Sequence, residues 1–257
     1  GTVGTAPSPV APETIRAAAD IVQRRGALFL DAPFTGSKVA AENAQLVYYI
    51  GGDEAALKQA QPILEASSKE IIRIGEIGDA TIMKVATNIV TAATAQIGAE
   101  ALALVRKAGL PTELFSQAMK HNASNSVTME MKIPLMEAGN YETHFSVKHM
   151  LKDVRIAAKL AENYSLRLPM NEVSSDMLLE EMKRGHADAD YSSVGQRYFP
   201  AREKPIAPAP VPAAPPPKPV EAAAPATPPT TAPKEAAPNE AAPKEEPAIK
   251  PAEPAPE

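Results

Sequence analysis

DATIMKVATNIVTAATAQIGAEALALVRKA, residues 79–108, is the stretch that decides the fold. It holds no proline and one glycine, Gly98, and its apolar residues recur at helical spacing. At 1.5 Å per residue such a run makes roughly 45 Å of continuous helix. A helix that long in a soluble protein commonly bridges two domains or forms the spine of one.

Upstream of it, helix and strand alternate. Pro12 suits the first turn of a helix reaching Arg25. Ala27–Leu30 reads as a buried strand, and Leu46–Ile50 as a second, rich in Val, Tyr and Ile. Gly51-Gly52 turns the chain, Asp53 caps a helix through Leu64, and Glu70–Ile74 is a third strand. Alternation with short links predicts part of an α/β sheet over 1–75. Downstream, helical patterns at 111–121, 146–163 and 169–184, with a short one near 191–198, predict an all-α domain over 76–200. From 201 to 257 the composition changes. This segment holds 18 of the 27 prolines and no aromatic residue, with an imperfect repeat from Ala232 to Glu246. It cannot bury enough apolar area to offset chain entropy, so a disordered Pro/Ala-rich tail is expected, a solubilising spacer rather than a docking tail.

Composition narrows the function. The net charge of −5 argues against a nucleic-acid partner. No uninterrupted apolar run approaches the roughly 20 residues of a membrane span, and the opening Gly, Thr and Pro residues do not read as a signal peptide. With no cysteine there is no disulfide, thiolate nucleophile or Cys-ligated zinc. His121, His144, His149 and His186 lack metal-site spacing, so no metal is expected. A soluble cytoplasmic protein fits these features.

Three segments carry candidate chemistry. Lys84 and Asn88, four apart, share a helix face, and Thr81 and Thr91 extend the polar stripe among apolar neighbours. Lys84 is either a desolvated amine of lowered pKa or a lysine snorkelling to water, and spacing does not separate the two. Thr35-Gly36-Ser37 ends a strand in a Gly-containing loop, which would suit a carboxylate or be an ordinary turn. Lys148, His149, Lys152 and Asp153 cluster on one helix, a pattern that is most often a solvated face.

Together these pieces resemble a known family. Leu30-Asp31-Ala32-Pro33-Phe34-Thr35-Gly36-Ser37-Lys38 resembles the substrate-binding loop of the β-hydroxyacid dehydrogenases, which include 3-hydroxyisobutyrate dehydrogenase. Gly75-Glu76-Ile77-Gly78 followed by Lys84 and Asn88 resembles the family's catalytic helix, and Phe145, Lys148-His149, Lys152-Asp153 and Arg155 the helix that closes its site. Asp190-Tyr191-Ser192-Ser193-Val194 resembles its final short helix. The likeness covers about residues 10–199 and is greatest to the glyoxylate/succinic semialdehyde reductase branch.

The resemblance implies that residues 1–75 are a remnant of a Rossmann-like domain. It also implies NADPH or NADH as cofactor, NADPH favoured, and a small carboxylated aldehyde or hydroxy acid as substrate. Lys84 would be the general acid/base. Thr35, Gly36, Ser37, Asn88, Phe145 and Asp153 would bind the substrate, and Lys152 would lie near the nicotinamide. Self-association through the helical domain to a homo-oligomer is implied too. Two departures stand out. Phe34-Thr35 replaces the family's Val-Ser, keeping a hydroxyl but adding bulk. The family's opening strand and Gly-x-Gly-x-x-Gly turn are not among the 257 residues, so these residues alone are expected to be inactive. Around Pro9-Val10-Ala11-Pro12 the chain has either proline for the family's threonine or an insertion over Gly4–Pro9. A non-catalytic assembly module derived from the family is the alternative reading.

Overall fold

A computed structural model describes residues 2–201; the expected tail falls almost wholly outside the described residues. The sheet is built from two strand–helix–strand units. In the first, β1 (Val3–Ala6) and β2 (Leu28–Asp31) are parallel neighbours joined through α1 (Pro12–Gln23). In the second, β4 (Leu46–Gly51) and β5 (Ser68–Gly75) are parallel, joined through α3 (Glu54–Glu65). The units meet where β4 runs antiparallel to β2 and to the short β3 (Phe34–Thr35), with α2 (Lys38–Glu42) following β3.

Strand residues alternate between faces, which lets neighbours in sequence serve different helices. Phe29 packs with Ile15 and Ala19 of α1, whereas Leu30 packs with Ala56, Ala60 and Leu64 of α3. Asp53 occupies the N-cap of α3, yet its side chain makes no cap hydrogen bond. β1 lies in a stretch that the sequence reading left without an element. Val3–Ala6 pairs residue for residue with Leu28–Asp31, so Gly4 to Ala6 belong to a strand, and Pro7–Ala11 is the loop into α1.

Beyond Gly78 every described element is helical. α4 (Asp79–Lys107) is the continuous 29-residue helix the sequence predicts. Around it stand α5 (Thr112–Lys120), α6 (Val127–Glu137), α7 (Val147–Asn163), α8 (Pro169–Lys183) and a 3-10 segment (Tyr191–Arg197). Small residues let these helices approach closely. Ala92, Ala95, Ala99 and Leu102 of α4 pack with Met136, Val147, Met150, Val154 and Leu178. A Cβ on Gly98 would lie 2.8 Å from Met129 Sδ and 3.0 Å from Ile133 Cδ1. α4 is, by length and composition, apolar enough to cross a membrane, although its sequence lacks an uninterrupted apolar run. In the fold it serves as a core helix, with Lys84, Asn88 and Gln96 buried in protein.

No element was expected over 127–137, where α6 stands. VTMEMKIPLM alternates apolar and polar residues as a strand would, and Pro134 sits inside the helix. The Ser126 side chain accepts the Met129 N–H and starts the helix. A buried ion pair then ties it down. Lys132 Nζ lies 2.8 Å from Asp190 Oδ1, with the two side chains 3% and 0% exposed. Asp190 also accepts hydrogen bonds from the Ser192 hydroxyl and from the backbone N–H groups of Ser192, His144 and Phe145. Burial works to raise the Asp190 pKa, but Lys132 and Ser192 hold it below the usual carboxylate range.

Candidate active site

The site begins with the way α4 is anchored to the sheet. An α-helix opens with backbone N–H groups that lack intrahelical partners. Asp31, fully buried at the end of β2, supplies acceptors from 47 residues and more away. Its Oδ2 accepts the N–H groups of Gly78 (3.0 Å) and Thr81 (2.9 Å), and Oδ1 accepts the Thr81 hydroxyl (2.8 Å). Burial pushes the Asp31 carboxyl up, against these hydrogen bonds. The first turn of α4 is thereby fixed against the sheet, and the position of Lys84 with it. Asp31 stands in the quoted strand-loop, but the sequence reading gave it no role. Its signal was a carboxylate closing an otherwise apolar strand.

One turn further on, Lys84 and Asn88 face α7. Lys84 is 9% exposed and therefore buried, which decides between the two readings of this lysine. Burial pushes its ammonium down from 10.5 to about 8; Asp153 opposes the fall and Lys152 adds to it. An amine of that pKa exchanges a proton near neutral pH, as a general acid/base requires. Asp153 is fully buried on α7. Its Oδ2 accepts the Asn88 amide at 2.6 Å, and Lys152 Nζ lies 2.8 Å from its Oδ1. Lys152 also donates to the Pro9 carbonyl. Four of the expected site residues, Lys84, Asn88, Lys152 and Asp153, are thus gathered from α4 and α7 and tied to the loop before α1.

The others stand apart from this group. Thr35 pairs with Val47 in the sheet. Gly36 has φ +143°, and a Cβ there would meet Leu46 Cδ2 at 2.7 Å, so the turn requires glycine. The Ser37 hydroxyl accepts the Ala40 N–H at 3.2 Å and caps α2, a structural task beside the expected binding role. Phe145 packs on the helical core, its ring 6.4 Å from Tyr191 and 5.8 Å from His149. Among the described residues, no hydrogen bond or ion pair joins Thr35, Gly36, Ser37 or Phe145 to the Lys84 group. His149 is held by the Ser146 hydroxyl at 2.7 Å.

A cleft of about 550 Å³ opens beside α7, walled by Ala11, Pro12, Lys148, Lys152, Arg155 and Lys159, among others. Glu13 and the apolar Leu151, Ile156, Leu160 and Met182 also line it, while Lys84, Asn88 and Asp153 do not. Its cations suit an anionic group such as the phosphates of a dinucleotide, and Lys152 links the cleft to Asp153.

Comparison with known proteins bears on the fold and the family. Residues 1–75 match the family model described as the NAD binding domain of 6-phosphogluconate dehydrogenase. Residues 78–198 match that described as NAD-binding of NADP-dependent 3-hydroxyisobutyrate dehydrogenase. The chain is 32% identical over 173 residues to glyoxylate/succinic semialdehyde reductase 2 of Arabidopsis thaliana, covering 67% of this chain and 48% of the relative. It therefore spans about half the length of that protein. It is 28% identical over 209 residues to the NAD-dependent L-serine dehydrogenase of Pseudomonas aeruginosa, covering 79% and 70%. Among solved structures, 3-hydroxyisobutyrate dehydrogenase of Mycobacterium tuberculosis with L-serine superposes with a TM-score of 0.69 at 26% identity, covering 76% of this chain and 69% of that one. The α/β part and the helical part each match a dehydrogenase model, in that order along one chain, and the fold agrees with a solved member: this chain belongs to the β-hydroxyacid dehydrogenase family.

Proposed function

We propose that the whole protein reduces a small carboxylated aldehyde, or oxidises the matching hydroxy acid, with NADPH as the favoured cofactor. Glyoxylate and succinic semialdehyde are the first candidates, from the likeness to the Arabidopsis reductase, and the 3-hydroxyisobutyrate couple is the next. The observation that carries this reading is the buried Lys84, with its pKa of about 8, one turn from an Asn88 held by Asp153. A bound nicotinamide would supply the hydride. Lys84 would give its proton to the carbonyl oxygen in reduction and take it back from the hydroxyl in oxidation. Asn88, oriented by Asp153, would fix that oxygen or the carboxylate. Thr35 and Gly36 would offer a hydroxyl and a backbone N–H to the carboxylate, and Phe145 would wall the pocket. Self-association through the helical residues goes with this reading.

The test is steady-state reduction of glyoxylate and succinic semialdehyde by NADPH, made on the intact protein and on Lys84→Ala. Alanine is the best helix former, so α4 should persist in the variant. Loss of one general acid should cost about 10²–10⁴-fold in rate. A folded variant with ordinary turnover would make Lys84 structural. An intact protein that reduces no carboxylated aldehyde would overturn the substrate assignment.

A further inference from the structure

The cleft beside α7 combines a charged row with an apolar floor. Lys148, Lys152, Arg155 and Lys159 line it at steps of four, three and four residues, so they follow one another along a single helix face. The floor is Leu151, Ile156, Leu160 and Met182. Leu151 and Met182 belong to the large helical core, and Ile156 and Leu160 pack with Val85 of α4. Side chains held from behind in this way present a preformed apolar surface. The volume of about 550 Å³ lies within the range of small-molecule sites.

Most of the charge along the row is already spent. Lys148 pairs with Asp188, Lys152 with Asp153 and the Pro9 carbonyl, and Lys159 with Glu162. Glu13, the acid that lines the cleft, accepts the Asn163 amide at 3.4 Å. Arg155 differs from its neighbours. It is exposed, and among the described residues it has no hydrogen bond, ion pair or ring contact. The cleft also takes in Ala11, Pro12 and Glu13 at the start of α1, a helix without a side-chain cap, so the positive end of its dipole adds to the field there.

We propose that this cleft binds a monoanionic amphiphile, a carboxylate carried on an aliphatic chain, with Arg155 holding the carboxylate and the apolar floor taking the chain. One unspent cation calls for one anionic group, and a guanidinium can meet a carboxylate with two parallel hydrogen bonds. The floor supplies the rest of the affinity by taking methylenes out of water. This site goes beyond the reductase reading, since Lys84, Asn88 and Asp153 do not line it.

Calorimetric titration of the full chain with octanoate, butanoate and inorganic phosphate tests the site directly, without any readout of turnover. Octanoate should bind once per chain, and affinity should rise about two- to fourfold for each methylene added between butanoate and octanoate. Arg155→Gln, an exposed change that should leave the thermal melt unaltered, should weaken octanoate about tenfold. NADPH should not displace octanoate. Absence of octanoate binding overturns the proposal. Phosphate or butanoate binding as tightly as octanoate would mean that the cations act alone and the floor takes no ligand, which overturns it too. Undiminished binding by Arg155→Gln would place octanoate elsewhere on the molecule. Displacement by NADPH would assign the cleft to the cofactor, and the proposal would again fall.

Discussion

Replacing Lys84 with methionine should make the protein more stable and far less active. Methionine keeps an unbranched chain of similar length and a good helix propensity, so the main change is removal of a buried charge. The fall of the Lys84 pKa from 10.5 to about 8 sets the scale. At about 1.4 kcal/mol per unit, the folded state carries a penalty of roughly 3 kcal/mol for holding the ammonium. Below pH 8 both the folded and unfolded chains are protonated, and the penalty is fully present. Between about 8 and 10.5 the folded chain sheds the proton while the unfolded chain keeps it, so wild-type stability rises with pH through that window. Above 10.5 the group is neutral in both states and the penalty is gone. Lys84→Met should therefore unfold at higher urea near neutral pH, by roughly 1–3 kcal/mol, and its advantage should shrink to little by about pH 10.5. Urea titrations across that range, beside the rate of carboxylated-aldehyde reduction, provide the assay. A variant less stable than wild type at neutral pH, or an advantage that does not change with pH, would refute the claim that the lysine is desolvated. A stable variant with undiminished rate would refute the claim that it is catalytic.

On the proposed role, the same lysine should set the pH dependence of turnover. Reduction needs the ammonium and should decline as pH rises through about 8, while oxidation needs the free amine and should rise there; pH–rate profiles in both directions check this. Asp153→Asn removes the charge that opposes the lowering of the Lys84 pKa, so the decline in reduction should move to lower pH, and an unmoved profile would mean that Asp153 does not act on the lysine. Lys132→Met strands the buried Asp190 carboxylate without its cation and should cost about 3–5 kcal/mol by urea unfolding at neutral pH. The depressed pKa of Asp190 stabilises the fold above the ordinary carboxylate range and is lost as pH falls, so the penalty of that variant should narrow in acid. Asp31→Ala leaves two N–H groups and the Thr81 hydroxyl without their acceptor and should cost at least about 3 kcal/mol, read by thermal or urea melts.

What could be read in the sequence followed from local physics. α4 announced itself because thirty residues without proline and with helical periodicity have few other ways to fold; α5, α7 and α8 were visible by their periodicity, and α1 and α3 by Pro12 and Asp53 at their starts. β1 and α6 were not, because neither is decided locally. Val3–Ala6 is four residues of small and polar character that becomes a strand by pairing with β2. α6 carries a strand-like alternation and an internal proline, and is held by Lys132 reaching an acid 58 residues away. Long-range ionic pairing leaves no periodicity to detect.

The site divides along the same line. Lys84 and Asn88 share a helix, so their common face was legible, but whether that face was wet or dry depended on α7. The helix that looked most like a solvated surface, with Lys148, His149, Lys152 and Asp153 in one run, proves amphipathic in a finer sense. Asp153 is fully buried toward α4, while Lys148 pairs with Asp188 at the surface and Lys152 bridges the two environments. Placing a carboxylate there does two things at once. It accepts the Asn88 amide, and it opposes the lowering of the Lys84 pKa by burial. Burial lowers the Lys84 pKa, Asp153 works against that fall, and Lys152 adds to it. The pKa of about 8 is the net of burial and of two opposing charges on α7, which is why it became visible only once α4 and α7 were packed together.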